Sequence, residues 1–235
     1  MSEPAPLDGL DGLRGGVPAA MARAEVVATF DEMAPRFDAL LVDTLEYRVP
    51  ERLRALIDRV VPGRSGAALD LGCGTGLAGA QLRPRVDVLD GVDLSPRMLE
   101  EAARRGVYDH LHEGDVVEHL LATAVRYDLI VATDVFIYVG DLAPLFEAAR
   151  AALAGGGHLA ASVERHDGVD VRLAPTGRYQ HSRGYLERLA AEHDLEVLAC
   201  EASEARLEGR VFVPGWLFVL AAGRGRPAAR ARPRR

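Results

Sequence analysis

The chain has 235 residues, 49% of them hydrophobic and 27% charged, with a formal net charge of −7. That is enough for one good-sized core and short for two ordinary domains. No apolar window of about 18 residues is present, so no membrane-spanning helix is expected. The N-terminal stretch carries Glu3, Asp8 and Asp11 instead of a basic n-region, which argues against a secretory leader. Cys73 and Cys200 are too few for a disulfide framework or a zinc site, and the expected setting is a reducing cytoplasm with no metal.

All 28 basic residues are arginine, which points to GC-rich coding. Six of them fall in Arg224–Arg235, leaving 22 against 35 acids in the body of the chain. A body near −13 is a poor surface for DNA, and no DNA partner is expected.

In chain order, residues 1–22 are rich in Gly, Pro and Asp and read as a flexible lead. From Arg23 to about Val61, apolar residues recur at three- and four-residue steps (Val26, Val27, Phe30, Met33, Phe37, Leu40, Leu41, then Leu53, Leu56, Ile57, Val60), which predicts helices. Pro62-Gly63 ends that region. Strands are then expected at Ala67–Leu71, Val86–Leu94, Leu111–His112, Tyr127–Thr133 and His158–Val163. Helices are expected at Pro96–Arg105, with Ser95 as N-cap, and at Ala143–Leu153, stopped by Gly155-Gly156-Gly157. This alternation predicts an α/β fold with a parallel sheet covered on both faces. A polar connection, Arg165 to His181, leads to a helix at Arg183–Glu192. Two successive strands, Glu196–Ala202 and Val211–Leu220, form an antiparallel pair at the sheet edge, and residues 223–235 read as a disordered tail.

The chemistry begins at "DLGCGTGL", Asp70–Leu77, which closes the first strand with glycines at 72, 74 and 76. Bare backbone at a strand end lets a ligand lie on the main chain, and the following helix can offer free N–H groups. The spacing is G-x-G-x-G, not the dinucleotide G-x-G-x-x-G, and no "GK[ST]" follows. Asp93 ends the second strand in "GVDLSPRML", where a carboxylate can accept both hydroxyls of a ribose or cap the next helix. Asp115 follows the third strand in "HEGDV", as a ligand group or a turn residue. Cys73, between two glycines, reads as a small buried thiol.

"LDLGCGTG" (69–76), "GVDLSPRML" (91–99), "EGDV" (113–116) and "YDLIVATDVFIYV" (127–139) resemble four successive motifs of class I S-adenosylmethionine-dependent methyltransferases. "GRYQHSRGYLERL" (177–189) and "ARLEGRVFVPGWLFVL" (205–220) resemble a bacterial branch of small methyltransferases, some fused to tetratricopeptide repeats, which this chain lacks. The resemblance implies a Rossmann-like, seven-stranded, mostly parallel sheet with a reversed last strand. It implies one methyltransferase domain over 23–222, with a helical lid at about 23–61. It implies that Asp70, Gly72, Gly74 and Gly76 hold the methionine part of S-adenosyl-L-methionine and Asp93 its ribose. Leu94 and Met98 would flank the adenine, Asp115 and the Val116 N–H would read its edge, and Thr133 would face the methyl group.

Asp134, His181 and Tyr138 are the expected catalytic residues, with Asp134 or His181 taking or steering a proton. Tyr47, Arg48 and Tyr179 are the expected substrate contacts. The implied reaction is methyl transfer to an O or N atom of a small molecule, in natural-product biosynthesis. A non-catalytic S-adenosylmethionine-binding or scaffold protein is the alternative, followed by a nicotinamide-dependent oxidoreductase. Oligomeric state is open at this level.

Overall fold

The computed structural model describes residues 23–223; the N-terminal lead and all of the arginine-rich tail beyond Gly223 lie outside them. The elements follow the chain as α1 (Arg23–Met33), α2 (Val49–Val60), β1 (Ser65–Leu71), α3 (Leu77–Leu82), β2 (Val86–Asp93), α4 (Pro96–Arg105), β3 (His110–Glu113), α5 (Val116–Ala122) and β4 (Tyr127–Ala132). Then come α6 (Ala143–Ala152), β5 (Leu153–Arg165), β6 (Val171–Leu173), β7 (Tyr179–His181), α7 (Arg183–Glu192), β8 (Leu195–Glu208) and β9 (Val211–Ala222). All nine strands belong to one sheet. β3, β2, β1, β4 and β5 are neighbours in that order and parallel; β9 runs antiparallel beside β5, and β8 antiparallel beside β9.

This is the expected α/β architecture with two short additions. The polar connection after Arg165 is not plain loop: β6 and β7 form an antiparallel pair, and β7 runs parallel to the last residues of β5. The glycines at 155–157 do not stop α6, which ends at Ala152. They lie inside β5, where the pairing with β4 slips between Tyr127 and Leu129. A Cβ on Gly157 would sit 2.7 Å from the Tyr127 carbonyl oxygen, so the bulge needs glycine there.

The parallel strands are buried on both faces, and their side chains alternate between two cores. Leu69 and Leu71 of β1 and Ile130 and Ala132 of β4 join α6 and α7 through Phe146 and Leu186, with Phe218 of β9 in the same core. Ala68, Leu129 and Val131 join the opposite layer, where Leu53, Leu56 and Ile57 of α2 close the sheet. Helix starts are marked by side chains that accept N–H groups the helix leaves free. Ser95 Oγ accepts from Met98 N at 3.1 Å, Asp115 Oδ1 from Val117 N at 2.8 Å, and Ser182 Oγ from Tyr185 N at 3.2 Å.

The predicted N-terminal helical region is interrupted where Pro35 enters. α1 passes into a 3-10 turn, Ala34–Arg36, and a π-helical stretch, Ala39–Thr44, before α2.

Candidate functional site

The glycine loop leaves the carboxyl end of β1, and each of its three glycines has a left-handed backbone: φ is +61° at Gly72, +53° at Gly74 and +91° at Gly76. The pattern G-x-G-x-G is therefore a conformational requirement, since side chains rarely adopt such angles. At Gly72 there is also no room, because a Cβ would lie 2.4 Å from Val135 Cγ2. At Gly74 the space is open apart from Phe37 Cε1 at 3.8 Å. A ligand can therefore approach the backbone there.

Asp93 holds this loop to the end of β2. Its Oδ2 accepts from Gly74 N at 2.8 Å and its Oδ1 from Ser95 N at 2.9 Å. Burial pushes its carboxyl up, against the pull of the Ser95, Gly74 and Leu94 N–H groups. Each oxygen keeps a lone pair for a further donor. Asp115 caps α5 through Oδ1 alone, and Val116 is the first residue of that helix. Leu94 is half-buried, whereas Met98 is buried inside the first turn of α4. Cys73 is buried and its thiol is pushed up by burial, as expected for an inert packing group.

Asp70 lies wholly inside the protein. Burial raises its carboxyl to about 7, against the hydrogen bond that Tyr108 Oη donates to Oδ2 at 2.7 Å. Its Oδ1 is buried without a hydrogen-bond partner among the described residues. A buried orphan acceptor at the root of a ligand loop is a place for an incoming donor.

The expected lid is tied to this rim by side chains that no motif revealed. Asp38 accepts from Thr75 Oγ1 at 2.5 Å and from Arg105, whose Nε also donates to the Thr75 carbonyl at 2.8 Å. Asp31 accepts from Ser95 Oγ at 2.5 Å. Phe30 packs edge-on against Phe37 and Tyr138, with ring centroids 6.1 and 5.8 Å apart. The helical region thus lies over both the glycine loop and the end of β4.

The end of β4 is built from charge. Asp134, in the left-handed region at φ +57°, accepts from Ser162 Oγ at 2.9 Å through Oδ1 and from Arg206 Nη1 at 3.1 Å through Oδ2. Its own N–H donates to Ser162 Oγ at 2.8 Å. Arg206 also donates to Glu164 and, at 2.9 Å, to Glu208, and Arg178 donates to Glu208 at 2.5 Å. Tyr47 is buried, shares a hydrogen bond with Thr133, and has its phenol pushed well up by burial and then by Asp134. Tyr138 is bonded to Arg178 and is likewise raised by burial.

Three sequence expectations are corrected here. His181 cannot reach an acceptor. Its ring is completely buried, stacks on Tyr185 at 5.7 Å, and donates from Nε2 to the Val139 carbonyl at 3.0 Å; burial lowers its pKa to about 4. Arg48 points away: its side chain is 58% exposed and pairs with Glu51. Tyr179 is buried against Gly140, where a Cβ would meet its ring at 2.7 Å. Asp134 does stand at the rim, but both its oxygens are engaged and one serves a guanidinium, an unfavourable state for a general base. Arg206, Glu164 and Glu208 were missed. The alternation Ala205-Arg206-Leu207-Glu208 places both charges on one face of a strand, the only sign the sequence carries of them.

A cavity of about 530 Å³, lined by His110, His112, His119 and Asp90, lies under α5 on the amino-terminal side of the strands, away from this rim. The chain's one tryptophan, Trp216, pairs with Val163 next to Glu164 and lies 5.0 Å beneath the Arg165 guanidinium.

The profile of the methyltransferase domain matches residues 45–202. The chain belongs to the methyltransferase domain family. The match runs from just before Tyr47 into β8; it takes in the glycine rim, Asp134, Glu164 and Arg178 and stops short of Arg206 and Glu208. Methyltransferase-like protein 27 of Homo sapiens is 42% identical over 91 residues, covering 37% of each chain. The ubiquinone biosynthesis O-methyltransferase of Methylobacterium sp. (strain 4-46) is 29% identical over 141 residues, 59% of this chain and 55% of that one. The chain thus spans about a third to a half of the length of these curated relatives. The N-methyltransferase NodS of Bradyrhizobium japonicum WM9, solved with S-adenosyl-L-homocysteine, shares the fold with a TM-score of 0.65 at 19% identity, over 83% of this chain and 97% of that one. The fold is therefore that of class I methyltransferases and S-adenosylmethionine is the family's cofactor, with which the open backbone at Gly74 and the orphan Asp70 oxygen are compatible. No helix among the described residues is long and apolar enough to cross a membrane.

Proposed function

We propose that this chain catalyses S-adenosylmethionine-dependent methyl transfer to an O or N atom of a small-molecule acceptor, as one methyltransferase domain over 23–222 with its lid at about 23–61. The observation that carries the reading is the left-handed glycine loop held open by Asp93, set directly against the Thr133–Asp134 rim through the Gly72–Val135 contact. When bound, the cofactor supplies a methyl group already activated on a sulfonium. Asp70 Oδ1 would accept from its ammonium group, the loop backbone would carry the methionine arm, and Asp93 would take the ribose hydroxyls. Leu94 and Met98 would wall the adenine, with Asp115 Oδ2 and the Val116 N–H at its edge. The work left to the protein is alignment and exclusion of water. Phe30, Phe37 and Tyr138 cover the rim, and Tyr47 and Thr133 set its inner wall.

The cytoplasm, expected from two cysteines that form no disulfide, is part of this reading, as is a role in natural-product biosynthesis. A calorimetric titration tests it: S-adenosylhomocysteine binds the wild type, Asp93→Ala loses that binding, and NADH binds neither. Preference for NADH would sink the reading. S-adenosylhomocysteine binding without turnover on any acceptor would favour the non-catalytic alternative.

A further inference from the structure

On the methyl-transfer reading above, we infer that the acceptor is an amine, bound as a cation-forming group by the carboxylate edge of the Arg206 cluster and methylated at nitrogen.

The cluster holds three carboxylates, Asp134, Glu164 and Glu208, against two guanidiniums, Arg178 and Arg206, and so carries one net negative charge. Its two signs are not equally accessible. Arg206, Arg178 and Glu164 side chains are 4%, 13% and 3% exposed, whereas Asp134 and Glu208 are 18% and 32% exposed. An approaching acceptor therefore meets carboxylate oxygens and tyrosine, with the positive charge behind them. Burial raises the Glu208 carboxyl, but Arg206 and Arg178 outweigh it and hold the group below its ordinary value, so it stays charged. A carboxylate or phenolate acceptor would be repelled by this edge, and an ammonium attracted to it.

The aromatic cover agrees. Phe30 and Phe37 pack against each other, and Phe30 packs against Tyr138 over the same rim. Aromatic faces stabilise cations and do nothing comparable for anions.

His181 is sequestered and Asp134 is held by Arg206 and Ser162, so the ammonium drawn to this edge gives its proton to water before the transfer. The unprotonated amine lone pair forms the N–C bond while the S–C bond breaks, and that bonding pair returns to sulfur. The positive charge moves from sulfur to nitrogen, beside the net negative cluster, and the new ammonium later gives its proton to water. A hydroxyl acceptor, far less acidic than an ammonium, would need a base in the site during the transfer itself.

The test uses the full chain saturated with S-adenosylhomocysteine and ligand-observed NMR. The probes are matched benzyl, phenethyl and cyclohexylmethyl compounds bearing an amine, a hydroxyl or a carboxylate. The amines should bind at least tenfold more tightly than their partners. Glu208→Gln should remove most of that preference while leaving S-adenosylhomocysteine affinity unchanged, and Phe30→Leu should weaken the amines separately. Equal affinities, a carboxylate preference, or no binding of any probe to a protein that binds S-adenosylhomocysteine would overturn the amine assignment and leave methyl transfer standing. Failure to bind S-adenosylhomocysteine would overturn both.

Discussion

The two rims that face each other across the Gly72–Val135 contact are made in opposite ways. The glycine rim is local: Asp70 to Gly76, Asp93 and Asp115 lie at the ends of three adjacent strands, and what they present is mostly backbone, oriented by short carboxylate contacts. The Asp134 rim is assembled from side chains at 134, 164, 178, 206 and 208, brought together from the ends of β4, β5 and β8 and from the turn before β7. The first can hold an invariant ligand because the backbone does not change with the side chains. The second can change its ligand by exchanging its more exposed charges, Asp134 and Glu208, while the buried Arg206–Glu164 pair stays in place.

That contrast can be broken most severely at Arg206. Arg206→Leu leaves Glu164, whose side chain is 3% exposed, with only the longer 3.7 Å pairing to Arg178, and should cost about 3 kcal/mol in urea unfolding. Adding Glu164→Leu should return most of that loss, whereas an uncompensated double variant would show that the cluster is not the coupled unit described here. S-adenosylhomocysteine affinity of the doubly substituted protein should stay within about threefold of wild type, roughly 0.6 kcal/mol, since the glycine rim is independent.

The pH response separates the rims next. Asp70 has a folded pKa of about 7 against an ordinary 3.8, so the folded state holds the extra proton and stability falls as pH rises from about 4 to 7. His181 has a folded pKa of about 4 against 6.5, so the unfolded state holds the extra proton and stability rises over 4 to 6.5. The two slopes oppose each other in nearly the same window. Asp70→Asn removes the first and should expose the second: unfolding free energy should then drop by about 3 kcal/mol as pH falls from 6.5 to 4. A flat profile in that variant would contradict the burial of His181.

The smallest expected effect is at the lid. Asp38 and Arg105 are partly exposed, so Asp38→Ala should cost less than about 1 kcal/mol of stability. It should nevertheless speed S-adenosylhomocysteine release several-fold in stopped-flow displacement, because Asp38 joins the lid to Thr75. An unchanged release rate would mean that the helical region does not gate the loop.

The same contrast explains what could be read in advance. Glycine spacing and Asp93 are short-range signals, and alternation of strand and helix gave the parallel sheet, the Ser95 cap and the antiparallel end. The Arg206 cluster left almost no trace, because ion pairs across 42 or 72 residues have no period and no motif. His181 and Tyr179 read as polar loop residues, but the β6–β7 pair folds them inward. Gly155–Gly157 read as a helix stop because glycine signals any backbone irregularity, and only the neighbouring Tyr127 carbonyl shows that here it is a bulge.

Trp216 gives the Asp134 rim an optical gauge. It is the single indole in the chain, and it sits one ladder position from Glu164 under the Arg165 guanidinium. Its emission therefore arises from one place, on the acceptor side and away from the glycine loop. A shift in its wavelength on adding a ligand reports rearrangement of that side alone, without a label and without a second fluorophore of its kind to subtract.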